Sequence, residues 1–155
     1  MGDVVHTYTA RASWTGTTAV GYDAYDRSHT LSADPAGQSL ALSGDPHFGG
    51  DADRLNPEQL LVVAASSCQL LSFLAVAARA RIDLREYRDE AEGTMDEGDV
   101  PVRLNRITLR PHMVLAAGPS EARVRRLVDL AHRECYIANS LKTDVVVEPT
   151  IEFLA

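Results

Sequence analysis

The arrangement of apolar and polar positions predicts one long helix near the middle of the chain, from Leu55 to Arg81. Asn56 can cap the free N–H groups at its start, and Pro57 suits the first helical position. From Leu60 onward apolar residues occupy almost every face, and no charge occurs until Arg79. A helix that is apolar all round is normally buried on all faces. The pattern therefore predicts a central core helix.

Segments of alternating apolar and polar residues predict strands on both sides of this helix. Before it, residues 6–14 and 39–43 alternate as half-buried strands, with turns between them. After it, residues 85–95 and 103–115 are predicted to form an antiparallel pair joined by a turn at 96–101. The chain closes with a predicted strand over residues 144–153.

Two shorter helices are predicted in the C-terminal part. Ser120 is the natural cap of the first, and its apolar stripe of valine, leucine and alanine leads toward Cys135. Residues 136–141 resemble a second, short helix. No repeat, low-complexity tract or linker divides the sequence. The fold class is therefore predicted as α+β, with residues 1–155 forming a single domain.

Composition and charge exclude several functions. The formal net charge is −7 and the pI is near 5.1, so no surplus of basic residues is available to neutralise nucleic acid or a membrane surface. The long apolar helix is rich in Ser, Gln and Ala and has no second span beside it, so a membrane protein is not expected. The N-terminus lacks the pattern of a signal peptide, which favours a cytoplasmic location.

Cys68 and Cys135 are the first candidates for chemistry. In a reducing compartment they are inert packing thiols, metal ligands or a redox pair. Polar residues flank Cys68, and Cys135 precedes a short helix whose free N–H groups could stabilise a thiolate. His132 lies three residues before Cys135, yet no Cys-x-x-Cys or His-x-x-x-His spacing accompanies it, so no metal is expected.

Glu58 and Arg27 are further candidates for the functional site, and each has an alternative role that is purely structural. Ten residues of helix, a rise of about 15 Å, separate Glu58 from Cys68, so this carboxylate cannot touch that sulfur within one straight helix. A second chain must supply Glu58 if both belong to one site; otherwise Glu58 is a first-turn carboxylate that favours the helix dipole. Arg27 could be a solvent-facing strand residue, or it could stabilise a thiolate with its permanent charge.

Two motifs together resemble the OsmC/Ohr family of thiol-dependent hydroperoxide reductases. The first is the helix start Asn56-Pro57-Glu58-Gln59 followed by Ala65-Ser66-Ser67-Cys68, and the second runs from Ala131-His132-Arg133-Glu134-Cys135 into Tyr136-Ile137-Ala138-Asn139-Ser140. The well-studied members have Cys-Pro after the second cysteine position, where this chain has Cys135-Tyr136. The chain is therefore similar to the OsmC-like branch.

The resemblance implies a fold and a set of site residues. Antiparallel sheets are expected to wrap around the long central helix in an intertwined homodimer, with two active sites built from both subunits. Cys68 matches the peroxidatic cysteine, Cys135 the resolving cysteine and Glu58 the glutamate near the reactive thiol. Arg27 is the best match to the activating arginine, and Arg54 competes for that role.

The implied mechanism is that of a two-cysteine peroxidase. Arg27, held by a charge-assisted hydrogen bond that it donates to Glu58, would stabilise the Cys68 thiolate, which attacks an organic hydroperoxide and becomes a sulfenic acid. Cys135 then forms a disulfide with Cys68, and an external dithiol, often a lipoyl group in the family, reduces it. Val62, Leu71, Phe73 and Tyr136 are expected to form an apolar pocket for the peroxide. The alternative is a non-enzymatic small-molecule-binding or redox-sensing dimer.

Overall fold

The computed structural model describes residues 2–155, which form two compact units. The first unit ends at Leu60 and the second comprises Leu61–Ala155. Helix α1, Pro57–Arg79, begins in the first unit and continues through the second. The single domain over residues 1–155 stays a prediction.

The first unit contains a three-stranded antiparallel sheet. Its strands are β1, Arg11–Ser13, β2, His29–Ser32, and β3, Ser39–Leu42, in that order across the sheet. The predicted strand at residues 6–14 is thus formed only over its last part. A strand needs a hydrogen-bonding partner, and β2 offers only four residues to pair with.

The segment between β3 and α1 is fixed by hydrogen bonds rather than by a regular strand. Asp45 caps a single 3-10 turn, Pro46–Phe48, which ends at Gly49 with a φ of 81°. The Ser43 N–H donates to the Leu55 carbonyl oxygen at 3.0 Å, which closes this loop just before α1.

The start of α1 has the predicted cap. The Gln59 N–H donates to the Asn56 side-chain oxygen at 2.8 Å, and the Asn56 N–H donates to the Gln59 side-chain oxygen at 3.0 Å. This reciprocal pair satisfies two otherwise unpaired amides. Pro57 follows as the first helical residue, and the predicted helix is confirmed.

The prediction that α1 is buried on all faces is wrong for the single chain. Ala65 and Phe73 are fully buried, whereas Val63, Leu71 and Leu74 are 55%, 62% and 43% exposed. Only one face of the helix packs against a core; the opposite face is apolar and open. Among residues 2–155, α1 is the one helix that is apolar and long enough to cross a membrane. Buried residues along one of its faces are typical of a core helix in a globular protein.

The second unit contains two three-stranded mixed sheets. Their orders are β4-β7-β9 and β5-β6-β8, and in each sheet one pair is antiparallel and the other parallel. The strands are β4, Leu84–Asp89, β5, Glu92–Met95, β6, Leu104–Leu109, β7, Pro111–Leu115, β8, Asp144–Val147, and β9, Thr150–Phe153.

Each of the three predicted strands in this unit is divided into two. The segments 85–95, 103–115 and 144–153 each break once and pass from one sheet to the other, and proline lies in or beside two of the breaks, at Pro111 and Pro149. The predicted pairing is confirmed, because β4 pairs with β7 and β5 with β6, both antiparallel.

Two shorter helices complete the second unit. The Ser120 hydroxyl accepts a hydrogen bond from the Arg123 N–H at 3.3 Å and caps α2, Glu121–Arg133. Cys135 lies at the start of α3, Tyr136–Ser140. Val124, Val128 and Ala131 of α2 join Phe73 in the larger core cluster. The predicted α+β class is confirmed.

Candidate active site

The two cysteines meet in the second unit. Cys68 lies at the middle of α1 and is half-buried, while Cys135 between α2 and α3 is only 1% exposed. Both are free thiols, and they lie close enough for Cys68 to raise the pKa of Cys135. The Ile137 N–H, in the first turn of α3, points at the Cys68 sulfur at 3.5 Å. The short helix α3 therefore donates a backbone hydrogen bond to Cys68, which lies on α1.

The electrostatics of the pair distinguish its two sulfurs. Burial raises the pKa of the Cys135 thiol to about 11, and its hydrogen bond with Cys68 and the charge of a Cys68 thiolate act in the same direction. The backbone amides of Ala138 and Ile137 oppose this rise without overcoming it. Cys135 is therefore a protonated thiol at neutral pH.

The unit that contains the two thiols also has buried polar side chains without partners in the part of the chain that the structure describes. Within residues 2–155, the Gln69 side-chain amide, the Tyr87 hydroxyl and the His132 Nδ1 atom are buried without a hydrogen-bond partner. Burial also raises the pKa of Tyr87, and negative charge on Asp89 and Cys135 adds to the effect. Tyr87 lies on β4, far from both cysteines in sequence, and no motif marks it; only the fold brings it close to Cys135.

Arg27 and Glu58 lie together in the first unit, around a cavity of about 510 Å³. Arg27 comes just before β2 and Glu58 from the first turn of α1. Aromatic rings form much of the remaining wall. The lining residues are Trp14, Thr18, Tyr22, Tyr25, Arg27, His29, Ser43, Gly44, Asp45, Phe48, Pro57 and Glu58.

Arg27 is held by backbone carbonyls and aromatic rings. Its guanidinium donates to the carbonyl oxygens of Tyr22 at 2.8 Å and Tyr25 at 3.1 Å, and it lies 4.0 Å from the centre of the Tyr25 ring. Gly49 makes room for it, because a Cβ at Gly49 would be 3.0 Å from the Arg27 Cζ atom. Two of the five N–H donors are thus engaged by the chain, which leaves the others for a ligand.

The predicted hydrogen bond between Arg27 and Glu58 is not formed among residues 2–155, although both line the cavity. The carbonyls of Tyr22 and Tyr25 take its place as acceptors. Arg54, the competing arginine, pairs instead with Asp51 at 3.2 Å and is not part of the cavity wall.

The predicted apolar pocket is wrong. Phe73 is fully buried in the core, whereas Leu71 and Tyr136 are largely exposed. Val62 lines a different cavity, of about 370 Å³, with Ser66 and Asp89. Nine residues are about two and a half helical turns, so Val62 and Leu71 point in opposite directions.

The described residues hold no group of three or more His, Cys, Asp or Glu side chains that could bind a metal ion. The chemistry available here is that of two thiols in one unit, and of a guanidinium, a carboxylate and an imidazole around a cavity in the other.

Comparisons with known proteins find the same fold elsewhere. The structure is similar to an OsmC-like protein of unknown function from Vibrio cholerae, with a TM-score of 0.86 and 29% identity over 94% of this chain and 100% of that one. It shares its fold with an organic hydroperoxide resistance protein from Legionella pneumophila, with a TM-score of 0.68 and 19% identity over 97% and 99% of the two chains. The uncharacterized protein YmaD of Bacillus subtilis is 20% identical over 146 residues, which are 92% of this chain and 91% of YmaD. The model of the OsmC-like protein family matches residues 50–150. The predicted fold is confirmed, and the chain belongs to the OsmC-like family.

Proposed function

We propose that this protein is a thiol-dependent peroxidase that reduces organic hydroperoxides as part of oxidative stress defence. The observation that carries the proposal is the proximity of Cys68 and Cys135, two free thiols on separate elements: the Ile137 N–H, two residues after Cys135, reaches the Cys68 sulfur at 3.5 Å. Structural neighbours named organic hydroperoxide resistance proteins support the same chemistry.

In the first step the Cys68 thiolate attacks the terminal oxygen of the hydroperoxide. The O–O bond breaks, the alcohol leaves and Cys68 becomes a sulfenic acid. The half-buried position of Cys68 leaves its sulfur accessible, and the Ile137 N–H favours negative charge on it. Cys135, whose pKa is raised, stays a neutral thiol beside Cys68 during this step.

In the second step Cys135 resolves the sulfenic acid. Its sulfur displaces the hydroxyl group on Cys68, the Cys135 proton leaves with that group as water, and a disulfide forms. The proximity of the two thiols in the reduced protein favours this disulfide. An external dithiol then restores both thiols by exchange. We place the cycle in the cytoplasm, where such a reductant is available.

We propose that the site is completed by a second copy of the chain. The open apolar face of α1, with Val63, Leu71 and Leu74, is a surface that a partner would cover. Glu58 and Cys68 are about 15 Å apart along the same helix, so one chain cannot bring them together through α1 alone. In a homodimer Arg27 and Glu58 of one protomer would meet Cys68 of its partner.

The composition of the cavity supports an organic substrate. Trp14, Tyr22, Tyr25 and Phe48 provide apolar surface, and Arg27 provides free donors for the peroxide oxygens. Burying the organic group of the peroxide against these rings would favour it over hydrogen peroxide, which has no apolar surface to bury.

Stopped-flow consumption of tert-butyl hydroperoxide tests the proposal with matched serine variants. Wild type should turn over with an added dithiol, and Cys68→Ser should not. Cys135→Ser should consume about one equivalent and stop as a sulfenic acid or a mixed disulfide. Mass spectrometry without reduction should show a link between Cys68 and Cys135 only in wild type. Equal rates in wild type and Cys68→Ser would refute the peroxidase.

The second candidate function is a non-enzymatic small-molecule-binding or redox-sensing dimer. The volume of the aromatic-lined cavity, which falls in the range of ligand sites, favours this reading. The same experiment separates the two functions, because a binding protein would consume no peroxide beyond the oxidation of its own thiols.

A further inference from the structure

His29 is a titratable side chain in the cavity to which the reaction above assigns no role. It lies at the start of β2, is half-buried, and lines the same cavity as Arg27 and Glu58. Its Nδ1 atom is 2.8 Å from the carbonyl oxygen of Arg27. A carbonyl only accepts, so Nδ1 carries a hydrogen in this contact. Nε2, at the other end of the ring, makes no hydrogen bond within residues 2–155.

The backbone around His29 is held in place by further hydrogen bonds. The Trp14 indole N–H donates to the Asp26 carbonyl oxygen at 2.7 Å, and the Ser28 N–H donates to the Asp26 carboxylate at 2.8 Å. These bonds fix the short segment that carries both Arg27 and His29. The imidazole is therefore oriented before any substrate arrives, which is the condition for efficient proton transfer.

We propose that His29 is a further catalytic residue, the general acid that protonates the alkoxide leaving group through Nε2. The inference rests on the proposed peroxidase function. In the proposed homodimer the thiolate of the partner's Cys68 forms a bond to the terminal oxygen of ROOH, that oxygen keeps its hydrogen, and sulfur is oxidised to the sulfenic acid. The O–O bond breaks, the other oxygen is reduced and leaves as RO⁻, and the proton from Nε2 converts it to ROH.

His29 supplies the proton and then regains it from water. The step uses the imidazolium form, with hydrogens on both nitrogens, and leaves the neutral tautomer that keeps Nδ1–H on the Arg27 carbonyl. Water entering the cavity returns the proton to Nε2. The net reaction is thiolate plus ROOH plus one proton from solvent, giving sulfenic acid plus ROH.

The other polar groups of the cavity are less suited to this step. A guanidinium is not deprotonated in proteins, so Arg27 can stabilise charge without supplying a proton. The carboxylates of Asp45 and Glu58 are acceptors when ionised. One Asp45 oxygen already accepts from the His47 N–H at 2.7 Å. An imidazole can both carry and release a proton near neutral pH, which suits His29 to this step.

The test compares two oxidants that differ in their leaving group. The alkoxide from tert-butyl hydroperoxide needs a proton, whereas the acetate from peroxyacetic acid is stable as an anion. The variant His29→Asn is chosen because the asparagine amide can still donate to the Arg27 carbonyl in place of Nδ1. The rate of Cys68 oxidation should fall by about 10²-fold with tert-butyl hydroperoxide and by less than about threefold with peroxyacetic acid. His6→Asn, at an exposed position, is the control and should match wild type with both oxidants.

The other outcomes are each decisive. An equal fall with both oxidants would mean that His29 only supports the structure, and unchanged rates with both would mean that another group donates the proton; either result overturns the inference and leaves the peroxidase intact. If wild type oxidises Cys68 with neither reagent, the proposed function itself fails.

Discussion

The raised pKa of Cys135 predicts how the stability of the protein depends on pH. The native thiol has a pKa of about 11, compared with an ordinary value of 9.0, chiefly because the side chain is buried. In the unfolded chain the same thiol loses its proton at the lower value. The stabilisation is therefore fully present below pH 9 and is lost as the pH rises through 11.

The magnitude follows from these two values. One pKa unit corresponds to about 1.4 kcal/mol, so the difference between 9.0 and about 11 amounts to about 3 kcal/mol of unfolding free energy. That is a large fraction of the 5–15 kcal/mol typical of a folded domain. A Cys135→Ala variant lacks this titration, whereas other groups that ionise in the same range, Tyr87 included, remain in both proteins.

The measurement is urea unfolding followed by circular dichroism between pH 8 and pH 11, with a phosphine reductant and a fixed protein concentration. The unfolding free energy of wild type should fall by about 2 kcal/mol more than that of Cys135→Ala over this range, because about half of the native thiol is still protonated at pH 11. In Cys68→Ser most of the fall should persist, because burial is the largest cause of the raised pKa. Parallel curves for wild type and Cys135→Ala would refute the reasoning.

Three further substitutions probe the helix cap, the cavity and the proposed dimer. Asn56→Ala removes the side-chain oxygen that accepts from the Gln59 N–H and should cost about 1 kcal/mol of unfolding free energy in urea, while Asn56→Ser should retain most of that stability; equal losses would contradict the cap. Gly50→Ala would place a Cβ 1.7 Å from the Gly44 carbonyl oxygen, so the cavity wall must move. The turnover of tert-butyl hydroperoxide should fall by roughly tenfold to a hundredfold. Gly37→Ala, at an open position, is the control and should turn over the peroxide at the wild-type rate. Leu71→Glu puts a charge on the open face of α1 and should convert a dimer to monomers in sedimentation velocity; a dimer that persists would place the interface elsewhere.

The helices were the part of the fold that local patterns predicted best. A capping residue, a proline at the first position and a long apolar run are contiguous signals, so α1 begins at Pro57 as expected. Ser120 marked the start of α2 in the same way. The burial of α1 was not predictable, because exposure depends on which elements cover each face, and the open face holds residues as apolar as the buried one.

The strands show the limit of alternation as a signal. A period of two residues predicts an extended segment but says nothing about which sheet it joins. Residues 103–115 read as one strand, and the structure divides them at Arg110 between β6 and β7, in different sheets. The parallel pairing of β6 with β8 and of β7 with β9 likewise depends on tertiary packing, since no local turn specifies it.

The sequence by itself determined the residue types and the helix limits: two cysteines, an arginine before a strand, a glutamate in the first turn of a capped helix, and the motifs that resemble the OsmC/Ohr family. Only the tertiary structure brought Cys68 against Cys135, placed Arg27 and Glu58 around one cavity, and added His29 to that wall. The reason is physical. Caps and periodicity act between neighbouring residues, whereas the contact of Cys68 with Ile137 joins positions 69 residues apart, and its existence depends on how the whole core packs.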